Sequence, residues 1–177
     1  MLMGARQAGV TLIELIVTLS VAAILATLAV PSFQTMILNR EIAASAESVL
    51  NGLQLARAEA VKRNSQISFV MNADSTWTVG CITVTASCPA SIQSSTVGDG
   101  ANSVVTITPT PAEAAIAAFN SFGTPIPGVS VLTQLDFTLP VSVLPAAQAH
   151  PLRVVVGAGG APRLCDPTMV APDPRAC

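Results

Sequence analysis

The 177-residue chain contains no tyrosine, one tryptophan and one histidine, and only 10% of its residues are charged. Eight Lys and Arg against ten Asp and Glu leave a formal net charge of −2. So little charge excludes an acidic-tail protein, a disordered chain kept open by self-repulsion, and a basic nucleic-acid binder. The lone His150 removes most acid–base chemistry. A serine or cysteine nucleophile normally needs a neighbouring base, and His150 lies in an Ala/Pro-rich stretch before Pro151 that reads as loop. Metal chemistry is disfavoured too, because the four cysteines lack the C-x2-4-C spacing of a zinc site. Asp99, Asp136, Asp166 and Asp173 each lie beside turn residues and read as caps or turns rather than as a catalytic carboxylate pair. Gly157-Ala158-Gly159-Gly160 follows a strand pattern, but no helical pattern opens after it, so it reads as a hairpin turn and not as a phosphate loop. No catalytic residue, metal ligand or cofactor is expected, and the chain does not read as an enzyme.

What is present is apolar: 51% of residues are hydrophobic, in a length that suits one domain. The apolar residues are concentrated. Residues 10–30 form a 21-residue run with a single charge, Glu14. As a helix, that run spans roughly 31 Å, close to the hydrocarbon thickness of a bilayer. A removable signal peptide needs a shorter apolar run followed by a small-residue cleavage site. Here the run is long, Pro31-Ser32-Phe33-Gln34 follows it, and the only leader-like stretch, residues 1–9 with Arg6, precedes it. The run therefore reads as a retained membrane anchor. Glu14 sits one turn inside, where an ionised carboxylate costs on the order of 2.5–3.5 kcal/mol at the bilayer centre and less near its edge. It either lies at headgroup depth, favoured by the positive end of the helix dipole, or neutralises a positive group inside an assembly. Its position alone is compatible with both.

Gly9-Val10-Thr11-Leu12-Ile13-Glu14-Leu15 resembles the prepilin signature of type IV pilins and type II secretion pseudopilins. The resemblance implies cleavage after Gly9 by a prepilin peptidase and N-methylation of the new first residue. That residue is Val10 here, where the family usually has Phe. Glu14 and Pro31 fall at mature-chain positions where pilins commonly carry those residue types. The resemblance assigns Glu14 a role in assembly, pairing with the N-terminal amine of a neighbouring subunit.

Beyond Pro31, Ile42, Ala46, Val49, Leu53, Ala56 and Ala60 recur every three or four residues. Arg40, Glu41, Glu47, Arg57, Glu59, Lys62 and Arg63 are interspersed and read as a solvated face, which makes the stretch an amphipathic helix to about Asn64. Residues 53–64, Leu-Gln-Leu-Ala-Arg-Ala-Glu-Ala-Val-Lys-Arg-Asn, are similar to the segment that follows the anchor in GspH/FimT pseudopilins and minor pilins. Short β-branched runs then take over at 66–71, 76–85, 103–108, 115–120, 129–139 and 152–156. Turn signals at 98–100, 109–111, 123–125, 127–128 and 157–160 divide them, with long loops at 86–102 and 140–151. The expected fold is α+β: a long N-terminal helix, membrane-spanning in its first half and amphipathic in its second, packed on an antiparallel β-sheet domain. The expected divisions are a leader at 1–9, an anchor and filament core at 10–30, the helix continuation at 31–64 and a β-rich domain at 65–177. Trp77 and Phe119 read as core residues of strand–turn elements.

Four cysteines allow three connectivities. Cys81 with Cys88 and Cys165 with Cys177 is preferred, because each pair brackets a turn-rich stretch, and the other two pairings stay open. The resemblance implies a structural subunit of the bacterial inner membrane, single-pass with its C-terminal domain in the periplasm. It would then enter a pilus or pseudopilus, at the tip or in initiation. Its implied partners are other pilin or pseudopilin subunits, the prepilin peptidase and an inner-membrane assembly platform. Some members of the group are implicated in DNA uptake through a Gly-Arg-x-Arg motif. The matching stretch here is Gly160-Ala161-Pro162-Arg163, with Ala161 replacing the first arginine. A patch of Arg153, Arg163 and Arg175 is the alternative DNA-binding site. From residue 31 onward, however, seven Lys and Arg face nine Asp and Glu, so no net positive field steers DNA to this domain.

Overall fold

The computed structural model describes residues 9–72, 74–99 and 103–177. Residues 1–8 of the expected leader, Arg6 included, lie outside the described residues. The chain divides into two compact units, Met1–Ile37 and Leu38–Cys177. One helix, α1 (Leu12–Arg63), contributes to both.

In the first unit, α1 begins on a Thr-x-x-Glu sequence, the spacing of a capping box. Thr11 caps it: its Oγ1 accepts the Glu14 N–H at 3.3 Å, and its carbonyl accepts the Leu15 N–H at 3.1 Å. The hydroxyls of Thr18, Ser20 and Thr27 turn back onto the carbonyls of Leu15, Ile16 and Ile24 at 3.0, 2.8 and 2.7 Å. With those donors satisfied inside the helix, the segment tolerates a hydrocarbon surrounding. Leu12, Ile13, Leu19, Ile24 and Leu25 are all exposed, and α1 is long and apolar enough to cross a membrane. Pro31 lies within the helix.

In the second unit, the three-to-four-residue period has a direct consequence. Ile42, Ala46, Val49, Leu53, Ala56 and Ala60 are each at most 1% exposed and join one hydrophobic cluster with both sheets. The strands are β1 (Ile67–Met71), β2 (Trp77–Cys81), β3 (Gln93–Ser94), β4 (Thr106–Thr110), β5 (Ile116–Phe119), β6 (Gln134–Thr138), β7 (Leu152–Val156) and β8 (Pro162–Cys165). They form two four-stranded antiparallel sheets, ordered β3-β2-β1-β5 and β4-β6-β7-β8. Strand alternation sorts the side chains of the second sheet. Leu135, Phe137 and Val154 point inward and are buried, while Thr106, Thr108 and Thr110 on the edge strand β4 are exposed.

The helix and the first sheet meet closely at Gly52. A Cβ there would lie 2.8 Å from the Phe69 ring and 2.9 Å from the Trp77 indole. Those two rings pack 5.8 Å apart at a 30° tilt. The helix closes with Asn64 at φ 50°, the Ser65 N–H donating to the Ala60 carbonyl at 3.1 Å and the Asn64 N–H to Val61 at 3.3 Å. This is the double closure of a helix ending in a left-handed residue, with Asn in the place glycine usually takes.

Several expected boundaries move. The antiparallel sheet is divided in two. The run 76–85 ends as a strand at Cys81, where the chain turns into the Cys81–Cys88 disulfide loop. The run 129–139 is strand only over Gln134–Thr138, because the residues before it border β5 instead: Ile126 N–H donates to Ala118, and Leu132 N–H to Ile116. The two-residue β3 lies inside the expected loop 86–102, and β8 had no expectation at all. Both are too short to show an alternating pattern. Pro109, expected in a turn, sits in the edge strand β4, where its missing N–H leaves no ladder bond broken. A second disulfide joins Cys165 to Cys177, and the tail returns beside β8 through an Asp166 N–H to Arg175 carbonyl bond of 2.7 Å.

Two expectations follow for stability, both readable from the fluorescence of the single Trp77 during urea unfolding. Gly52→Val overpacks the helix–sheet contact and should lower stability by about 2 kcal/mol despite valine's better helix propensity; an unchanged midpoint would contradict the close approach. Replacing Cys165 and Cys177 together by serine opens a loop closed over a 12-residue separation, with an expected loss of about 3 kcal/mol.

Candidate functional site

Two regions carry the candidate residues. At the N-terminal region, Gly9 and Val10 are exposed and non-helical, immediately before the Thr11 cap. No atom lies within 4 Å of where a Cβ on Gly9 would be. The Gly9–Val10 peptide bond is therefore in an open, non-helical stretch of the kind a protease can take into its cleft. Glu14 lies in the first turn of α1, exposed, where the unpaired N–H groups of a helix start favour a carboxylate. It makes no ion pair among the described residues.

The second region gathers the arginines. Arg153 on β7 and Arg163 on β8 share the outer face of the second sheet, since Arg153 is opposite Cys165 and Val155 is opposite Arg163. The Cys165–Cys177 bridge folds the tail, with Arg175, back toward them. The structure thus brings all three arginines to one end of the domain, and each has a hydrogen-bond partner there. Arg153 Nε donates to Asp136 Oδ1 at 2.6 Å across β6 and β7. Arg175 pairs with Asp173 at 2.9 Å. Arg163 Nη2 donates to the Cys177 backbone oxygen at 3.0 Å. The Arg175 hydrogen bond holds the Asp173 carboxyl down at about 2. Asp166, whose carboxylate accepts from the Thr168 hydroxyl, is also held below the usual carboxylate range. Asp136, expected beside a turn, is instead a mid-strand residue whose charge answers Arg153. Asp166, Asp173 and Asp99 do stand in turns, bonded to Thr168, Arg175 and Thr96.

Three sites escaped the sequence reading. Glu59, expected on a solvated face, is only 7% exposed. Hydrogen bonds from Lys62 and Arg63 lower its carboxyl and explain how a buried charge is kept there. Arg63 also donates to the Ser87 carbonyl at 2.7 Å, which ties the helix end to the Cys81–Cys88 loop. Arg57 Nε donates to the Gly123 carbonyl at 3.0 Å and holds the 120–124 loop on α1. That loop is closed by Asn120, whose Oδ1 accepts the N–H groups of Phe122 and Thr124 at 2.9 and 3.1 Å. The Glu59 to Lys62 and Arg63 spacing was visible as i,i+3 and i,i+4 pairs; its burial and the carbonyl partners were not.

Comparison with known proteins agrees with this anatomy. The family described as "Type II transport protein GspH" matches residues 45–160, which is more than half the chain. The "Prokaryotic N-terminal methylation motif" matches residues 4–30. No curated protein matches the chain. Among solved structures, the type IV minor pilin FimU of Pseudomonas aeruginosa in one crystal form is 19% identical, with a TM-score of 0.51 over 71% of this chain and 88% of that one. A second crystal form of FimU gives 18% identity and a TM-score of 0.47 over 68% and 89%. At that identity the first likeness shows a shared fold: a long N-terminal helix packed on antiparallel sheets. Family match, methylation motif and fold converge, and the chain belongs to the GspH family of type IV pilin-like proteins.

Proposed function

We propose that this chain is a minor pilin or pseudopilin subunit, cut after Gly9 by a prepilin peptidase and methylated on Val10. Residues 10–30 anchor it in the bacterial inner membrane with the β-rich domain, residues 65–177, in the periplasm. An assembly platform in that membrane then moves it into a pilus or type II secretion pseudopilus, at the tip or in initiation. The observation that carries this reading is the exposed apolar start of α1, with Glu14 in its first turn. Nothing in the first unit covers those side chains, whereas the same helix further on is buried on its inner stripe by the chain's own sheets. The uncovered stretch needs lipid first and sister helices afterwards.

The chemistry of assembly rests on Glu14 and Val10. Cleavage creates a protonated amine at Val10, and the transfer of either charge into an apolar helix bundle is costly when it is alone. Glu14 of one subunit against the Val10 amine of another removes both costs at once and fixes their register. What supports the minor-subunit reading is that FimU is itself a type IV minor pilin. The DNA-uptake reading gains no such support: Arg153 pairs with Asp136 and Arg175 with Asp173, and Arg163 donates to the Cys177 backbone oxygen.

Two outcomes are expected. With the peptidase present, Gly9→Leu should leave the chain at its unprocessed mass and out of sheared filaments; incorporation at the wild-type level would refute the processing step. In an anisotropy titration against labelled duplex DNA, the protein should bind no tighter than the ~10⁻⁴–10⁻⁶ M of nonspecific association, with Arg163→Ala unchanged. Tighter, salt-sensitive binding that Arg163→Ala removes would restore the DNA reading.

A further inference from the structure

After Glu14, the next charged residue along the chain is Arg40. α1 is continuous between them, so along the helix the two charges stand about 39 Å apart, against about 40–45 Å for a bilayer with its headgroups. Apolar surface fills that interval: beyond Val30, the side chains of Phe33, Met36 and Ile37 are all exposed. With Glu14 at headgroup depth on one side of the bilayer, Arg40 falls in the headgroup layer on the other. Arg40 is exposed and pairs with no carboxylate among the described residues. Its half-buried neighbour Glu41 points about 100° further round the helix and is likewise in no ion pair among them. A guanidinium at the end of a long apolar helix is suited to a lipid phosphate, its stem lying along the apolar surface and its charge at the interface.

One residue earlier, Asn39 ties a second element to the helix. Its Nδ2 donates to the Gln148 carbonyl at 2.9 Å, and its Oδ1 accepts the His150 N–H at 2.8 Å. Both bonds hold the 140–151 segment to the start of the second unit, which begins at Leu38. The segment is two tight turns. The Pro140 carbonyl accepts the N–H groups of Val143 and Leu144 at 2.9 and 3.1 Å, and the Pro145 carbonyl those of Gln148 and Ala149 at 2.9 and 3.2 Å. Leu144 is buried in the core and pins them, whereas Val141 is 76% and Val143 43% exposed. Residues 137–152 contain no Asp, Glu, Lys or Arg, so no ionised acid or base of this segment has to shed water for the valines to enter a headgroup layer.

We propose that, before assembly, the second unit rests on the lipid surface at this place, with Arg40 on a lipid phosphate and Val141 and Val143 among the headgroups. The inference rests on the anchor reading above and adds to the anchor a second, reversible hold on the membrane. Continuity favours lipid over a protein partner: the exposed apolar surface of α1 runs to Ile37, two residues before Asn39, and a chain that crosses the bilayer brings those residues to its surface. Two valines and one arginine bind lipid weakly alone. Tethered by the anchor, they meet the surface at a high effective concentration. A contact of that strength holds the free subunit on the membrane and yields when the subunit is drawn into a filament.

The test uses the full-length chain, its disulfides kept oxidised, at a few copies per vesicle of phosphatidylethanolamine and phosphatidylglycerol, with a polarity-sensitive fluorophore on Val141→Cys. A nitroxide on the lipid headgroup should quench that label about threefold more than the same label on Val84→Cys. Val84 is 60% exposed in the Cys81–Cys88 loop, which Arg63 holds at the other end of α1. Arg40→Gln should remove about half of the difference, since one basic residue near an anionic surface changes binding a few-fold. Equal quenching at the two positions, or a difference that Arg40→Gln leaves intact, overturns the proposal. So does a label at residue 141 that shifts to the blue without headgroup quenching, the mark of a protein contact. Leu19→Cys, probed with a nitroxide deep in the acyl chain, separates the two levels. If it is quenched while residue 141 is not, only the surface contact falls; if neither is quenched, the anchor reading falls with it.

Discussion

The fold depends on one contact, the burial of the small-residue stripe of α1 beneath the first sheet. Alanine at positions 46, 56 and 60, together with Gly52, lets the helix approach until Phe69 and Trp77 stand within van der Waals distance of its backbone. Larger residues there would lift the helix and open the cavity that packed interiors do not tolerate. Because α1 is pinned on that line, everything displayed on its other faces has a defined place. The Arg57 clamp and the Glu59 cluster are consequences of the same registration.

A chain with so few charges spends them locally. Glu59 takes Lys62 and Arg63, Asp136 takes Arg153, and Asp173 takes Arg175. The first lies within the last turns of α1, the second joins β6 to β7, and the third lies within the tail. The exposed Arg175–Asp173 pair contributes little to stability, whereas the partners of buried Glu59 are what let its charge remain there. Among the described residues that stand outside these pairs are Glu14 at the start of the helix and Arg57, which holds the Gly123 carbonyl.

Much of this was legible in the sequence, and for identifiable reasons. The period of Ile42, Ala46, Val49, Leu53, Ala56 and Ala60 announces a buried stripe because helix geometry alone puts those side chains on one line. The β-branched runs announce most strands, since alternation is local too. Strands β3 and β8 were not legible, being two and four residues long and held by pairing to distant partners rather than by their own pattern. Glu59 was misassigned because a charge in an amphipathic helix is ordinarily solvated, and only the sheet packed over it decides otherwise. The arginine patch was readable as a set of residues but not as a set of free charges, because partners such as Asp136 and the Cys177 carbonyl lie 14 to 17 residues away in sequence.

By itself, the sequence determined the properties that arise within a few residues of each other, an apolar run long enough for a bilayer, a capped start carrying Glu14 and an amphipathic continuation, together with a net charge of −2. Tertiary structure decided what depends on residues far apart meeting: the split into two sheets, the burial of Glu59, the pairing of Arg153 with Asp136 and the exposure of Phe122. Periodicity and composition are set by covalent order, whereas the burial of a charge or the exposure of a ring depends on which distant surface arrives to cover it.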